Sequence, residues 1–213
     1  MQNYTPQTID DIVFQSVVEE KKVRNIISGT MSMPANGIAG IILHGVTGTG
    51  KTTLAKLLPH AIEQNKPGGC ATPYVSWHNC EAPDNGVQLI NSIRTAISHV
   101  ATSGSGLHYV VLNEADNLTC SALRQLKTVM EMQDAIFILT TNEIGAFDPA
   151  LLNRCEEISF NPTDPSIWLP RLRHVLQAEK ATGSYNDEFL ESIVKTSKFS
   201  GRHIFKQMQA LLG

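Results

Sequence analysis

The chain has 213 residues, 42% of them hydrophobic and 17% charged, with a formal net charge of −3. Enough apolar residue is present to build a core, which excludes a scaffold that depends on disulfide staples. The slight negative balance excludes a domain that binds nucleic acid by bulk positive charge, and no run approaches the ~18 apolar residues of a membrane span. Cys70, Cys80, Cys120 and Cys155 are scattered without zinc-ligand spacing and read as the reduced thiols of a cytoplasmic protein. The polar N-terminus through Asp11 lacks a signal-peptide apolar run.

In chain order, Val23, Ile26 and Ile27 predict a helix over residues 17–30. Residues 38–44 are a short apolar strand of the kind buried on both faces. Leu54, Leu57, Leu58 and Ile62 mark a helix over residues 51–64, which Pro59 should kink or shorten. A second strand falls at 74–77. Val87, Ile90, Ile93, Ile97 and Val100 form a helical stripe, and a turn at 103–106 leads into a third strand at 107–112. Leu123, Leu126, Val129 and Met130 predict another helix, followed by strands at 135–140 and 157–160. This alternation is the mark of an α/β parallel sheet sandwiched by helices.

After Asn161 and Pro162 the strand pattern stops. Three helical stripes remain: Ile167, Leu169, Leu172, Val175 and Leu176; then Phe189, Leu190, Ile193 and Val194; then Ile204, Phe205, Met208, Leu211 and Leu212. The expected organisation is a base domain over residues 1–161 and a small all-helical lid over residues 162–213.

Between the first strand and its helix, Gly45, Val46, Thr47, Gly48, Thr49, Gly50, Lys51 and Thr52, with Thr53 behind them, fit G-x-x-x-x-G-K-[ST]. Glycines let backbone N–H groups converge on phosphate oxygens, and the helix starting near Lys51 points its positive end at the same anion. Lys51 is expected on the β- and γ-phosphates and the Thr52 hydroxyl on Mg²⁺. The strand before and the amphipathic helix after are the context this P-loop requires, which sets it apart from a chance Gly-rich turn. The third strand ends in Asn113 and Glu114. Many P-loop ATPases have Asp-Glu here. Asn113 can bind a metal-bound water but carries no charge, so Mg²⁺ should be held less firmly. Glu114 keeps the general-base position.

Together these residues resemble the AAA+ superfamily, and most closely its clamp-loader branch, over nearly the whole chain. The segment from Tyr4 to Val13 resembles Tyr-Arg-Pro-x-(Thr/Ser)-(Leu/Phe)-Asp-(Asp/Glu)-Val-Val, with Thr5 in place of the Arg. That resemblance implies an adenine pocket lined by Tyr4, Ile12 and Val13. Residues 113–119 are similar to the family's DEADxLT. Thr140, Thr141 and Asn142 look like sensor 1, which helps place the attacking water. Asn153, Arg154 and Cys155 resemble the Ser-Arg-Cys signature, whose Arg is inserted into a neighbouring subunit's ATP site. Gly201 and Arg202 look like sensor 2, a lid arginine on the γ-phosphate. Asn79 matches a polar switch that engages Glu114. ATP, Mg²⁺ and a homo- or hetero-oligomer built through the ATPase domains follow from the resemblance.

The chain also departs from the family. Clamp-loader subunits continue into a helical collar domain, whereas this sequence stops at Gly213 after the lid. Either the sequence is a piece of a longer protein, or it belongs to a compact relative that is expected to assemble through its ATPase domains alone. The zinc-binding Cys cluster of the bacterial relatives is absent. The helix over residues 87–102 sits where clamp loaders track DNA, yet it carries only Arg94 and His99 as basic groups. The leading expectation is an ATPase acting as a nucleic-acid-associated loader or remodeller. The alternatives are an ATP-binding switch subunit that hydrolyses little, and a small-molecule or nucleoside kinase. Asn142, Arg202 and the helical lid argue against the kinase.

Overall fold

A computed structural model describes residues 4–181, 183 and 185–212, without the side chain of Leu212. The expected burial of Leu212 thus lies outside the described residues. Strands β1 (Gly40–His44), β2 (Val75–Asn79), β3 (His108–Asn113), β4 (Ala135–Thr141) and β5 (Cys155–Ser159) form one sheet. Their order is β2-β3-β4-β1-β5, and every pairing is parallel. Parallel strands need crossovers, and these are α2 (Lys51–Gln64), α3 (Val87–Ile97), α4 (Cys120–Met130) and the short α5 (Pro149–Leu152). Helix α1 (Val17–Ile27) precedes the sheet, and its first turn is capped by the Ser16 hydroxyl accepting from Glu19 N–H.

The period-2 alternation of the strands divides the core. Ile41, Leu43, Val111, Ile136 and Ile138 face α1 and α2, while Ile42, Val110, Leu112, Phe137 and Leu139 face α3 and α4. The crossovers change face beside β1, and the loop after β1 opens at the carboxyl end of the sheet, where α/β sheets bind ligands. Beyond β5, helices α6 (Leu169–Ala178), α7 (Asp187–Thr196) and α8 (Gly201–Leu212) enclose their own core of Trp168, Leu172, Leu190, Val194, Ile204 and Met208.

Three expectations are corrected. Helix α2 is not shortened by Pro59: it runs as 14 residues to Gln64. Burial of Leu54, Leu58 and Ile62, about 1.5–3 kcal/mol each, outweighs the ~3 kcal/mol penalty of an interior proline. Val100 is not on the core stripe, because α3 ends at Ile97 and Val100 is 94% exposed. At its end, Ser98 N–H still makes an i→i−4 bond to the Arg94 carbonyl at 3.1 Å, and the Ser98 hydroxyl donates to the same carbonyl at 2.9 Å. His99 therefore lies outside α3. Strand β5 also starts two residues earlier than its pattern predicts, because the Arg154 carbonyl accepts from Ala39 and Gly40 N–H and starts the ladder there.

That ladder start depends on Gly40. A Cβ there would lie 2.5 Å from both Cys155 Sγ and Met130 Cε, and 3.3 Å from the Arg154 carbonyl oxygen. We expect Gly40→Ala to destabilise the protein by about 1–3 kcal/mol in urea unfolding, with part of the loss recovered by adding Cys155→Ala. An unchanged midpoint would mean that this edge of the sheet yields freely.

Candidate functional site

The loop after β1 folds back over its own lysine. Lys51 Nζ donates to the carbonyls of Gly45 at 2.7 Å and Val46 at 2.8 Å. The side chain is 7% exposed, and burial pushes its pKa down to about 8, only partly countered through space by Asp116 and Glu114. A cation in this position, with neutral carbonyls as its bonded partners, fits an anionic ligand. So does the N-terminus of α2: its cap is Gly50, at φ +110°, and no side chain satisfies its first amides. Gly48, at φ +84°, is held from above. Its carbonyl accepts from Gly201 N–H at 2.8 Å, and a Cβ would fall 2.3 Å from Ser200 Oγ.

Beside the loop, the ends of β3 and β4 form one hydrogen-bonded array. Asn113 Oδ1 accepts from the hydroxyls of Thr52 at 3.1 Å and Thr140 at 2.9 Å. Thr140 Oγ1 in turn accepts from Glu114 N–H at 3.0 Å. Glu114 takes a left-handed backbone, φ +57°, a strained conformation for a non-glycine residue. Asn79, expected to engage Glu114, instead accepts on Oδ1 from Asn113 Nδ2 at 3.3 Å and Trp77 Nε1 at 3.1 Å. The reason is register: Asn79 lies directly opposite Asn113 in the β2–β3 ladder. Asn142, just past β4, accepts from the Thr47 hydroxyl at 3.3 Å.

The loop is one wall of a cleft of about 590 Å³ between the sheet and the C-terminal helices. Tyr4, Ile12, Val13, Thr47, Gly48, Thr49, Gly50, Lys51, Thr52, Thr53, Glu114, Asn142 and Arg202 all border it. Arg202, in the first turn of α8, faces the loop from the helical side. Gly45, Val46 and Asn113 sit behind this lining, bonded to Lys51 and Thr52. At the far end Tyr4 stacks on Phe205, centroids 6.5 Å apart, and donates its hydroxyl to Glu179 at 2.7 Å. Trp168 and Arg171 also border the cleft. The sequence reading missed both, because nothing in a lone Trp or Arg on a helical stripe marks it as facing a cleft. Val175, Phe205 and Met208, read only as parts of helical stripes, border the cleft as well.

Arg154 is not part of this cleft. It lies at the amino end of β5, while the loop leaves the carboxyl end of the neighbouring β1. The five residues of β1 separate them, or roughly 15 Å at about 3.3 Å per residue. Its guanidinium is held by the Glu131 carboxylate and by the Ala150 carbonyl at 2.6 Å.

Comparison with known proteins agrees with this geometry. The model of the family described as "ATPase family associated with various cellular activities (AAA)" matches residues 41–163. The chain is 27% identical over 98% of its length to replication factor C small subunit 1 of Pyrobaculum arsenaticum, covering 60% of that protein. It is 25% identical over 99% of its length to replication factor C subunit 5 of Homo sapiens, covering 59%, and 29% identical over 99% to the replication factor C small subunit of Aeropyrum pernix, covering 61%. The chain therefore spans about three-fifths of the length of these relatives. Among solved structures, the RuvB Holliday junction branch migration motor of Thermotoga maritima superposes with a TM-score of 0.67 at 16% identity. The match covers 96% of this chain and 64% of that one, a likeness of fold. No helix of the described residues is long and apolar enough to cross a membrane.

The Lys51 environment sets a pH dependence. A bound phosphate favours the charged ammonium, so binding takes up a proton wherever free Lys51 is neutral. Nucleotide affinity should be level below pH 8 and fall as pH rises above it, by at most about tenfold per unit. Dissociation constants measured at pH 7, 8 and 9 check this. A flat profile would show that Lys51 stays charged throughout.

Proposed function

Because the chain belongs to the AAA family of ATPases, we propose that it binds Mg²⁺-ATP in this cleft and hydrolyses it within an oligomer, as a clamp-loader-like loader or remodeller in DNA replication. The observation that carries the reading is the split placement of the polar and charged groups. Lys51, Glu114, Asn142 and Arg202 share one cleft, while Arg154 stands at the opposite end of the sheet, out of reach of its own loop. An arginine there serves a neighbour's site and not its own. In this arrangement residues 1–161 are the base and 162–213 the lid.

Each group then has a task. Lys51 and the first amides of α2 bind the β- and γ-phosphates. Thr52 directly, and Asn113 through water, would hold Mg²⁺, which neutralises phosphate charge when bound. Glu114 polarises the attacking water and Asn142 orients it. Arg202 of the lid and Arg154 of the adjacent subunit stabilise the charge that develops on the transferred group. Tyr4, Ile12 and Val13 receive the adenine. The second reading, an ATP-binding switch with little turnover of its own, is favoured by one feature: Asn113 is neutral.

Steady-state ATPase rate per subunit, followed across protein concentration with Mg²⁺, separates the two. A rate that climbs with concentration supports a self-assembling ATPase. A rate near zero with ATP binding confirmed supports the switch. Lys51→Ala should abolish nucleotide binding, and unchanged affinity would remove the phosphate-site assignment. Arg154→Ala should bind ATP as the wild type does but lose turnover at least about a hundredfold at assembling concentrations. An undiminished rate would place Arg154 outside catalysis. Asn113→Asp should raise turnover most at low Mg²⁺, and no change at any Mg²⁺ level would take position 113 out of the metal shell.

A further inference from the structure

Asp10 and Asp11 are consecutive, yet their carboxylates are tied to opposite parts of the molecule. Asp10 accepts from Arg24 Nη2 of α1 at 2.7 Å, an exposed pair. Asp11 Oδ1 accepts from Arg171 Nη1 of α6 at 2.6 Å, and this pair is withdrawn from solvent, its side chains 28% and 13% exposed. Asp11 Oδ2 is also engaged, accepting from the N–H groups of Gln7 and Thr8 at 3.1 Å each and from the Thr8 hydroxyl at 3.0 Å. Burial pushes the Asp11 carboxyl up, but these bonds and Arg171 more than offset it and hold it below the usual range. Arg171 Nη2 donates onward to the Tyr4 carbonyl at 3.2 Å. One carboxylate therefore joins the N-terminal strap to the lid.

The strap itself straddles both parts. Ile12 is buried in the sheet-side core, and Val13 packs against the core of the C-terminal helices. Tyr4 stacks on Phe205 of α8, the helix whose first N–H bonds the Gly48 carbonyl. Tyr4 and Phe205, which both border the cleft, give this end aromatic surface on which a heterocycle can stack. A base wedged between strap and lid presses on the residues that Asp11 and Arg171 hold, whereas a triphosphate at Lys51 touches none of them.

We propose that Asp11 and Arg171 are positioning residues that make lid closure depend on a heterocycle at this end of the cleft, and so let the protein prefer a nucleoside triphosphate to bare triphosphate. This rests on ATP binding in the cleft, as proposed above. The two ions act as a clip. With the clip intact, base contacts and lid placement stabilise each other. With it broken, the phosphate end still binds, but the base end no longer contributes through the lid.

The test is to measure dissociation constants of the full chain for ATP and for inorganic tripolyphosphate, both with Mg²⁺. Asp11→Asn keeps an acceptor for the Gln7 and Thr8 amides but removes the charge, and Arg171→Met removes the other ion. Each should weaken ATP about tenfold, within the usual range of coupling between sites, and leave tripolyphosphate within twofold. Arg171→Lys should recover part of the preference, and Asp10→Asn, the neighbouring exposed change, should match the wild type. Unchanged ATP affinity in both clip variants, or equal losses for the two ligands, overturns the proposal. If the clip variants do not fold, Arg171→Lys decides: a smaller loss confined to ATP supports the clip, and an equal or absent loss overturns it. A wild type that binds both ligands equally overturns the clip and leaves the phosphate site standing. A wild type that binds neither overturns the cleft reading itself.

Discussion

A lysine ammonium buried against two backbone carbonyls is the interaction around which the rest is arranged. Taking a cation out of water is costly unless it is paired, and among the described residues Lys51 has only the oxygens of Gly45 and Val46 as bonded partners. The loop that supplies them must turn back on itself within a few residues. β1 fixes where that turn begins, held between β4 and β5, and α2 fixes where it ends. The uncapped first turn of α2 adds partial positive charge to the same place. What results is an electropositive hollow whose desolvation cost an anionic ligand relieves. The C-terminal helices complete it by bonding to the same loop through Gly201 and Gly48.

A parallel sheet has two chemically different ends, and this chain uses both. The carboxyl end carries the loop, the Asn113–Glu114 corner and Asn142. The amino end carries Arg154, its carbonyl fixed by Ala39 and Gly40 and its guanidinium by Glu131. No side chain is long enough to join the two ends across a five-residue strand. Under the proposed function, Arg154 can meet phosphate only on another molecule, because its own loop lies at the far end of the sheet.

The sheet, its crossovers and the helical segment were legible because their cause is local periodicity: buried strands of four to six apolar residues, and helices with apolar residues three and four apart. The phosphate loop was legible because its glycines and lysine are adjacent in sequence. Element ends were less legible. Val100 continues the apolar spacing of α3, but the helix ends at Ile97 and leaves it exposed. The end of the cleft at Tyr4 and Phe205 was the least legible. Arg171 meets Asp11 across 160 residues of chain, and neither residue type at its position signals the other. The strap could be aligned to a family segment, but the lid residues that close on it come from helical stripes that read equally well as core.

The neutral side chain at position 113 belongs to a group of residues that fit one another. Asn113 uses both ends of its amide: the oxygen takes the Thr52 and Thr140 hydroxyls, and the nitrogen gives a hydrogen to Asn79. The Asn79 oxygen is fixed in that orientation by the Trp77 indole. A carboxylate at 113 would face that oxygen, and turning the Asn79 amide around would set its N–H₂ against the indole N–H. The substitution therefore removes charge but keeps direction. Because Thr52 donates its proton to Asn113, its lone pairs are left for a cation on the cleft side. Because Thr140 bridges Asn113 to Glu114 N–H, the Glu114 backbone is still held in its strained turn. An amide in this place carries no charge to offer a metal, while its hydrogen bonds still hold Thr52, Thr140 and the Glu114 backbone in position.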